Sequence, residues 1–474
     1  MNKIVKNFNF MLFGNVFSRI IGVLLTVYLA RKFGPSYFGI INFSNAFITY
    51  FSMIASMGLQ SLGIVKIAKD KENMKKDVDI ILSLRTILSI IAFIVLLIVT
   101  ICINKDINTK KMIVITGISI LINSFCLDWV FNALQEMKYI SYSIMISSFL
   151  SFILVFIPLY LNMYTKIYIV PIASAISSII SNIYLINIYK KKGKHKINFV
   201  VDFEQYKYLI SAAWPFFFSG IFATINCNID TLMLGFMRNN YEVGLYNSVY
   251  KLVNVLTLFV SFIFVPLYPV FIEYYNNKKF DDISIVINKV RKLMYIIAIP
   301  ILVVAFTLNQ ETIRILYGNK YIGASKVFTI LIAYVSIFYI REIYGYELTA
   351  WGLQKKYMKI VLISSMFNVI SNLIFIPKYG INGAAINTLI SEVINIVLMY
   401  RLSRKTLHIK YDNKYIFHII ISAIFMAIII YVTKIAATNI FVLIITAGIV
   451  YCISILKLKV VTIQEIKGLI GGKK

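Results

Sequence analysis

The chain has 474 residues, of which 59% are hydrophobic, yet its formal net charge is +28. A mean hydropathy of +0.81 excludes a water-soluble globular domain, which exposes far less apolar surface than this composition demands. The basic excess would suggest nucleic acid in a soluble protein, but no DNA- or RNA-binding module is visible, so anionic membrane lipids are the expected partner and nucleic acid is not.

Apolar runs able to cross a hydrocarbon core of roughly 30 Å as helices recur along the chain. In order they cover about 10–30, 37–58, 79–103, 112–134, 142–163, 168–188, 209–236, 244–271, 293–308, 326–350, 358–376, 381–400, 415–433 and 438–456. The first is too long for a cleavable signal peptide, and no small-residue cleavage motif follows it. The ninth is short. Pro171, Pro215, Pro266, Pro269 and Pro300 punctuate spans where a helix can bend, and Pro215 in the seventh span is the gating candidate. Cys102, Cys126, Cys227 and Cys452 lie within spans, and His195, His408 and His418 lack metal-ligand spacing. Neither a disulfide framework nor a metal site is expected.

The loops orient the chain. With the N-terminus in the cytoplasm, thirty-two Lys and Arg residues fall on the cytoplasmic side and twelve outside, as the positive-inside rule requires for an even number of spans. Both termini are therefore placed in the cytoplasm. The chain also repeats. LARKFGPSYFGIINFSNA from Leu29 parallels LGFMRNNYEVGLYNSV from Leu234, pairing Gly39 with Gly244. LRTILSIIAFIVLL from Leu84 parallels VRKLMYIIAIPILV from Val290, and Ala133-Leu134-Gln135 parallels Gly352-Leu353-Gln354. Six spans per half make this a parallel repeat about an axis along the membrane normal, and in such folds substrate sites tend to lie between the halves near the midplane. The expected fold is an all-α polytopic membrane protein of about fourteen transmembrane helices. Its parts are an N-terminal six-helix half (1–192), a cationic cytoplasmic linker (193–207), a second six-helix half (208–405), and two extra helices with a cytoplasmic tail (406–474).

Four stretches carry a family likeness. LARKFGPSYFGIINFSNAFITYFSMIASMGLQSLGIVKIAK from Leu29, AAWPFFFSGIFATINCNIDTLMLGF from Ala212, LYGNKYIGASKVFTIL from Leu316 and FNVISNLIFIPKYGINGAAINTLISE from Phe367 resemble Wzx-type polysaccharide flippases. These handle O-antigen or capsule repeat units, within the multidrug/oligosaccharidyl-lipid/polysaccharide exporter superfamily. The resemblance spans roughly residues 1–405. It implies a V-shaped bundle around a cationic central cavity in the bacterial cytoplasmic (inner) membrane. The cargo it implies is oligosaccharide linked to undecaprenyl diphosphate, moved from the inner to the outer leaflet. A polysaccharide polymerase and a chain-length regulator are the partners that such a role implies.

Four cations remain inside the spans: Arg19, Arg85, Lys251 and Arg341. A charge at the bilayer centre costs at least ~2.5–3.5 kcal/mol, so such residues normally face a bundle interior or an aqueous cavity. With Arg291, the repeat's counterpart of Arg85, they are the candidate ligands of a diphosphate, which Arg grips bidentately and Lys as a point charge. The competing readings are snorkelling to an interface for Arg85, Arg291 and Lys251, and an ion pair with Glu342 for Arg341. The intramembrane acids are Asp128, Asp230, Glu342, Glu347 and Glu392. Asp230, Glu392, Glu342 and Asp128 are candidates either for binding a coupling H+ or Na+ or for acting as counter-ions; Asp128 and Glu347, near cytoplasmic ends, would also be explained by solvation. Asn and Ser within the spans suit either sugar hydroxyls or helix–helix hydrogen bonds. No cofactor and no catalytic constellation is expected, and no loop leaves room for an enzyme domain. A cation-coupled multidrug exporter and a peptidoglycan lipid-precursor flippase are the alternative functions.

Overall fold

The computed structural model describes residues 2–193, 196–406, 411–435 and 439–461. Part of the linker at His195, the residue His408 and the C-terminal tail from 462 lie outside the described residues. In lipid every backbone N–H and C=O must be satisfied within its own segment or a closed barrel, and among the described residues there are helices and no strand. In order they are α1 (Asn2–Ser56), α2 (Leu59–Lys69), α3 (Met74–Cys102), α4 (Ile107–Ser124) and α5 (Asp128–Ala133). Next come α6 (Met137–Tyr160), α7 (Ile169–Gly193), α8 (Phe203–Met237), α9 (Asn240–Asn276) and α10 (Phe280–Thr307). The chain continues through α11 (Asn309–Tyr317), a 3-10 turn (Asn319–Ala324), α12 (Ser325–Ala350), α13 (Gln354–Thr406), α14 (Lys414–Ile435) and α15 (Ile440–Lys457).

Ten of the described helices are long and apolar enough to cross a membrane, or eleven if the bent α8 counts as one span. Thirteen of the fourteen predicted spans each lie almost entirely within one described helix. Two very long helices each hold two of them: α1 breaks at Gly34 (φ 76°) beside Pro35, and α13 breaks at Gly380 (φ 56°) after Pro377. One expectation needs correction. The fourth predicted span, 112–134, is not one helix, because α4 ends at Ser124 and a turn separates it from the short α5.

The chain forms two compact units, Met1–Asn247 and Ser248–Lys474. In the first, α1 packs against α3, α4, α6 and α8, and α7 lies along α4 and α6. Leu59, Ile81, Trp129, Leu185 and Leu209 form its core. In the second, α12 lies between α10 and α13, and the α14–α15 pair packs on α10 through Leu308, Ile419, Met426 and Leu443.

The two glycines that the sequence pairs sit against facing backbone. A Cβ on Gly39 would overlap the carbonyl oxygen of Asn240, and a Cβ on Gly244 would overlap that of Pro35. The contact is reciprocal and keeps the sequence register, since Pro35 and Asn240 are as far apart as Gly39 and Gly244. It brings the second half of α1 against the start of α9 at backbone distance. A second correspondence shifts by two residues. Glu136 N–H bonds Phe131 O at 2.9 Å, and Leu353 N–H bonds Leu348 O at 2.9 Å. Both are Schellman closures with a left-handed residue in the turn, so Gln135 (φ 55°) matches Gly352 (φ 75°) and not Gln354.

Candidate functional site

The in-span charges separate into those that are engaged and those that are not. In the unit Met1–Asn247, Arg19 lies exposed on α1 and has no hydrogen-bond or ion-pair partner among the described residues. Arg85 is enclosed. Its Nη1 donates to Cys126 O at 3.0 Å and its Nη2 to Asn123 O at 2.7 Å, so it caps the carbonyls released where α4 ends. Beside it, Asp128 is half-buried at the start of α5 and accepts from Cys126 Sγ (2.9 Å) and Trp129 N (3.1 Å). Asp230, on α8, accepts from Tyr246 Oη of α9 at 2.7 Å. Pro215 sits inside α8 where Gly58, between α1 and α2, meets that helix: a Cβ on Gly58 would lie 2.7 Å from Phe217 N and 2.8 Å from Ala213 O. The bend of α8, 64° between Phe222 and Cys227, falls C-terminal to that proline.

In the unit Ser248–Lys474, Lys251 is exposed on α9 and has no partner among the described residues. Arg341 does the opposite. It is buried, and its side chain bonds two carboxylates, Nη1 to Glu342 Oε1 and Nε to Glu392 Oε1, each at 2.6 Å. Asn395 Nδ2 adds a 3.3 Å bond to the other Glu392 oxygen, and the Phe338 ring faces the guanidinium at 4.7 Å. One cation and two carboxylates give this triad a formal net charge of −1.

Arg291 is buried on α10. It donates from Nη2 to Asn413 Oδ1 (3.0 Å) and stacks on the Tyr411 ring at 4.3 Å, while its Nε and Nη1 lack hydrogen-bond partners among the described residues. Nearby, Glu347 is 0% exposed and accepts from Ser403 Oγ at 2.5 Å. Solvation does not account for Glu347, because the end of α13 and the segment at Tyr411 close over it. Sequence reading missed Ser403, Tyr411 and Asn413. They lie 56, 8 and 122 residues from the groups they bond or are bonded through, and no local pattern marks them. The span amides include helix–helix bonds, as in Asn387 Nδ2 to Asn372 Oδ1 (2.9 Å) across the two limbs of α13.

Facing the predicted external side, Asp106 caps α4, accepting from Thr109 N (2.9 Å), Thr109 Oγ1 (2.6 Å) and Asn240 Nδ2 (3.1 Å). Burial alone would raise its carboxyl, but the Thr109 and Asn240 bonds hold it below the ordinary value. Lys105 next to it donates to Gly235 O and lies 5.3 Å above the Phe43 ring; burial lowers its ammonium. Among the described residues, no group of three or more His, Cys, Asp or Glu could hold a metal ion.

Comparison with known proteins places this architecture. The model of the family described as "Polysaccharide biosynthesis protein" matches residues 4–275. A Staphylococcus aureus protein, "Capsular polysaccharide biosynthesis protein CapF", is 23% identical over 401 residues, 84% of this chain and 98% of that protein. A Haloferax volcanii protein, "Probable low-salt glycan biosynthesis flippase Agl15", is 24% identical over 199 residues, 42% of each chain. The solved structure of the "Lipid II flippase MurJ, inward closed conformation" superposes with a TM-score of 0.77 at 20% identity, covering 94% of this chain and 97% of that one. The chain shares that all-helical polytopic membrane fold.

Proposed function

The chain belongs to the Polysaccharide biosynthesis protein family, and from that premise we propose that it flips undecaprenyl-diphosphate-linked oligosaccharide repeat units from the inner to the outer leaflet of the cytoplasmic membrane by alternating access. One observation carries the choice of an anionic cargo. Of the charges inside the spans, those left exposed and without a partner are cations, Arg19 and Lys251, while Asp128, Asp230, Glu342, Glu347 and Glu392 all accept hydrogen bonds or ion pairs. A bare cation at mid-span, as Arg19 is, is too costly against lipid and belongs on a wet surface, where a diphosphate is its natural ligand. Lys251, in the outer third of its span, adds a second free cation toward the outer side. A cation-binding drug site would need the reverse, free acids and engaged cations. A cell-wall lipid-precursor flippase remains the second reading, since the same free cations suit any lipid diphosphate.

Coupling to a H+ or Na+ gradient fits the Glu342–Arg341–Glu392 triad, whose uncompensated negative charge is relieved by one monovalent cation. Surface polysaccharide provides the test. The double variant R19Q/K251Q is expected to lower polymer display at least tenfold at equal protein level, with lipid-linked precursor accumulating inside. Undiminished display would overturn the anion path. Loss of cell-wall synthesis with unchanged polymer would select the second reading.

A further inference from the structure

A cavity of about 330 Å³ lies outside this charge set, in the second unit, where three separate parts of the chain converge. Lys289 and Lys292 come from the N-terminal part of α10, Lys414 and His418 from the first turns of α14, and Lys459 from the turn that ends α15. That volume is at the small end of ordinary ligand sites. Asp412 is the one acid in the lining. Its Oδ1 accepts from the Lys414 N–H at 3.0 Å and its own N–H donates to Asn288 Oδ1 at 3.0 Å, so its carboxylate is turned to the start of α14. Four lysines against one aspartate leave an excess of three positive charges. Lys289, Lys414 and Lys459 have no acidic partner within 4 Å among the described residues.

Two lysines stand where helix physics disfavours them. Lys414 occupies the first turn of α14, where the backbone already presents a positive end. Lys459 takes a left-handed backbone (φ 54°) at the Schellman position closing α15, with Val460 N bonded to Ile455 O at 3.0 Å, a place that glycine usually fills. Val460, nearly fully buried, pins that turn. Tyr415, also in the lining, keeps a buried hydroxyl with no hydrogen-bond partner among the described residues. These features suit an anion with several acceptor oxygens. The large apolar side chains Leu293, Phe417, Ile420 and Leu456 are exposed on the same three helices, close in sequence to the lysines. All three lysine-bearing segments fall on the side to which the loop charges assign the cytoplasm, where the leaflet is anionic and basic pockets between helices take lipid headgroups.

We propose that this cavity binds the phosphate of an anionic phospholipid headgroup, with the acyl chains lying along the exposed apolar side chains of α10, α14 and α15. The assignment stands apart from the cargo path. Native mass spectrometry of the full-length protein in neutral detergent tests it, with phosphatidylglycerol and phosphatidylcholine of identical chains as probes and inorganic phosphate titrated separately. Wild type is expected to retain phosphatidylglycerol at least fivefold over phosphatidylcholine, and K414Q/K459Q to lose that preference. K378Q, which removes an exposed lysine from the opposite side of the spans, is expected to keep it. If the double variant fails to fold, K289Q gives the same reading through a partial loss. An unchanged preference in the lysine variants overturns the site. Saturable phosphate binding without any phosphatidylglycerol preference assigns the lysines to a soluble phosphate and overturns the lipid.

Discussion

Removing Arg341 would leave Glu342 and Glu392 enclosed without their counter-charge. Breaking one side of a buried ion pair costs about 3–5 kcal/mol, so R341M is expected to lose most of its folded protein in detergent-based thermal unfolding. R341M/E392Q should recover part of that loss, the signature of coupled groups. An exposed cation behaves differently: R19Q removes no hydrogen bond or ion pair among the described residues and should unfold within about 0.5 kcal/mol of wild type, which separates a transport defect from a folding defect. At Asp106 the effect is local and pH-dependent. D106A removes a helix cap worth about 1 kcal/mol, and amide exchange at the start of α4 should accelerate about fivefold. The folded carboxyl is held low by Thr109 and Asn240, so its stabilisation is complete above the unfolded value of about 3.9 and is lost as pH falls through the folded value. D106N keeps an acceptor and should abolish that acid sensitivity.

Between helices, small residues set how closely two axes approach. G39A and G244A each place a methyl group on a carbonyl oxygen of the facing helix, so α1 and α9 must separate or shift. Overpacking of this kind costs about 1–3 kcal/mol, and G39A/G244A should cost less than the sum, because the first separation makes room for the second methyl. Thermal unfolding of the three variants at one detergent concentration would show it. The spans themselves were legible, since roughly 20 apolar residues are a physical requirement for crossing a bilayer. The division of the fourth span was not. Nothing local ends α4 at Ser124; a guanidinium about forty residues upstream does, through Asn123 and Cys126. Glu347 escaped for the same reason, since its burial depends on Ser403 and Tyr411 folding over it. Sequence reading grouped these charges together, and only tertiary contacts separate Arg85 and Arg341, which are bonded, from Arg19 and Lys251, which have no partner among the described residues.

For the molecule as a whole, the loop charges make a prediction that no contact within one unit can make. With the four native cysteines replaced by serine, a membrane-impermeant maleimide added outside should label T165C and spare E72C, both exposed positions. Equal labelling would break the even-span topology and move every later loop to the wrong side.

Two copies of a repeated sequence drift independently wherever each packs only against itself. Gly39 and Gly244 do not have that freedom, because the backbone of each copy occupies the space a side chain on the other would need. A mutation in either codon is therefore judged against the other half of the gene. Selection sees the two positions as one locus, although two hundred residues of otherwise divergent sequence lie between them.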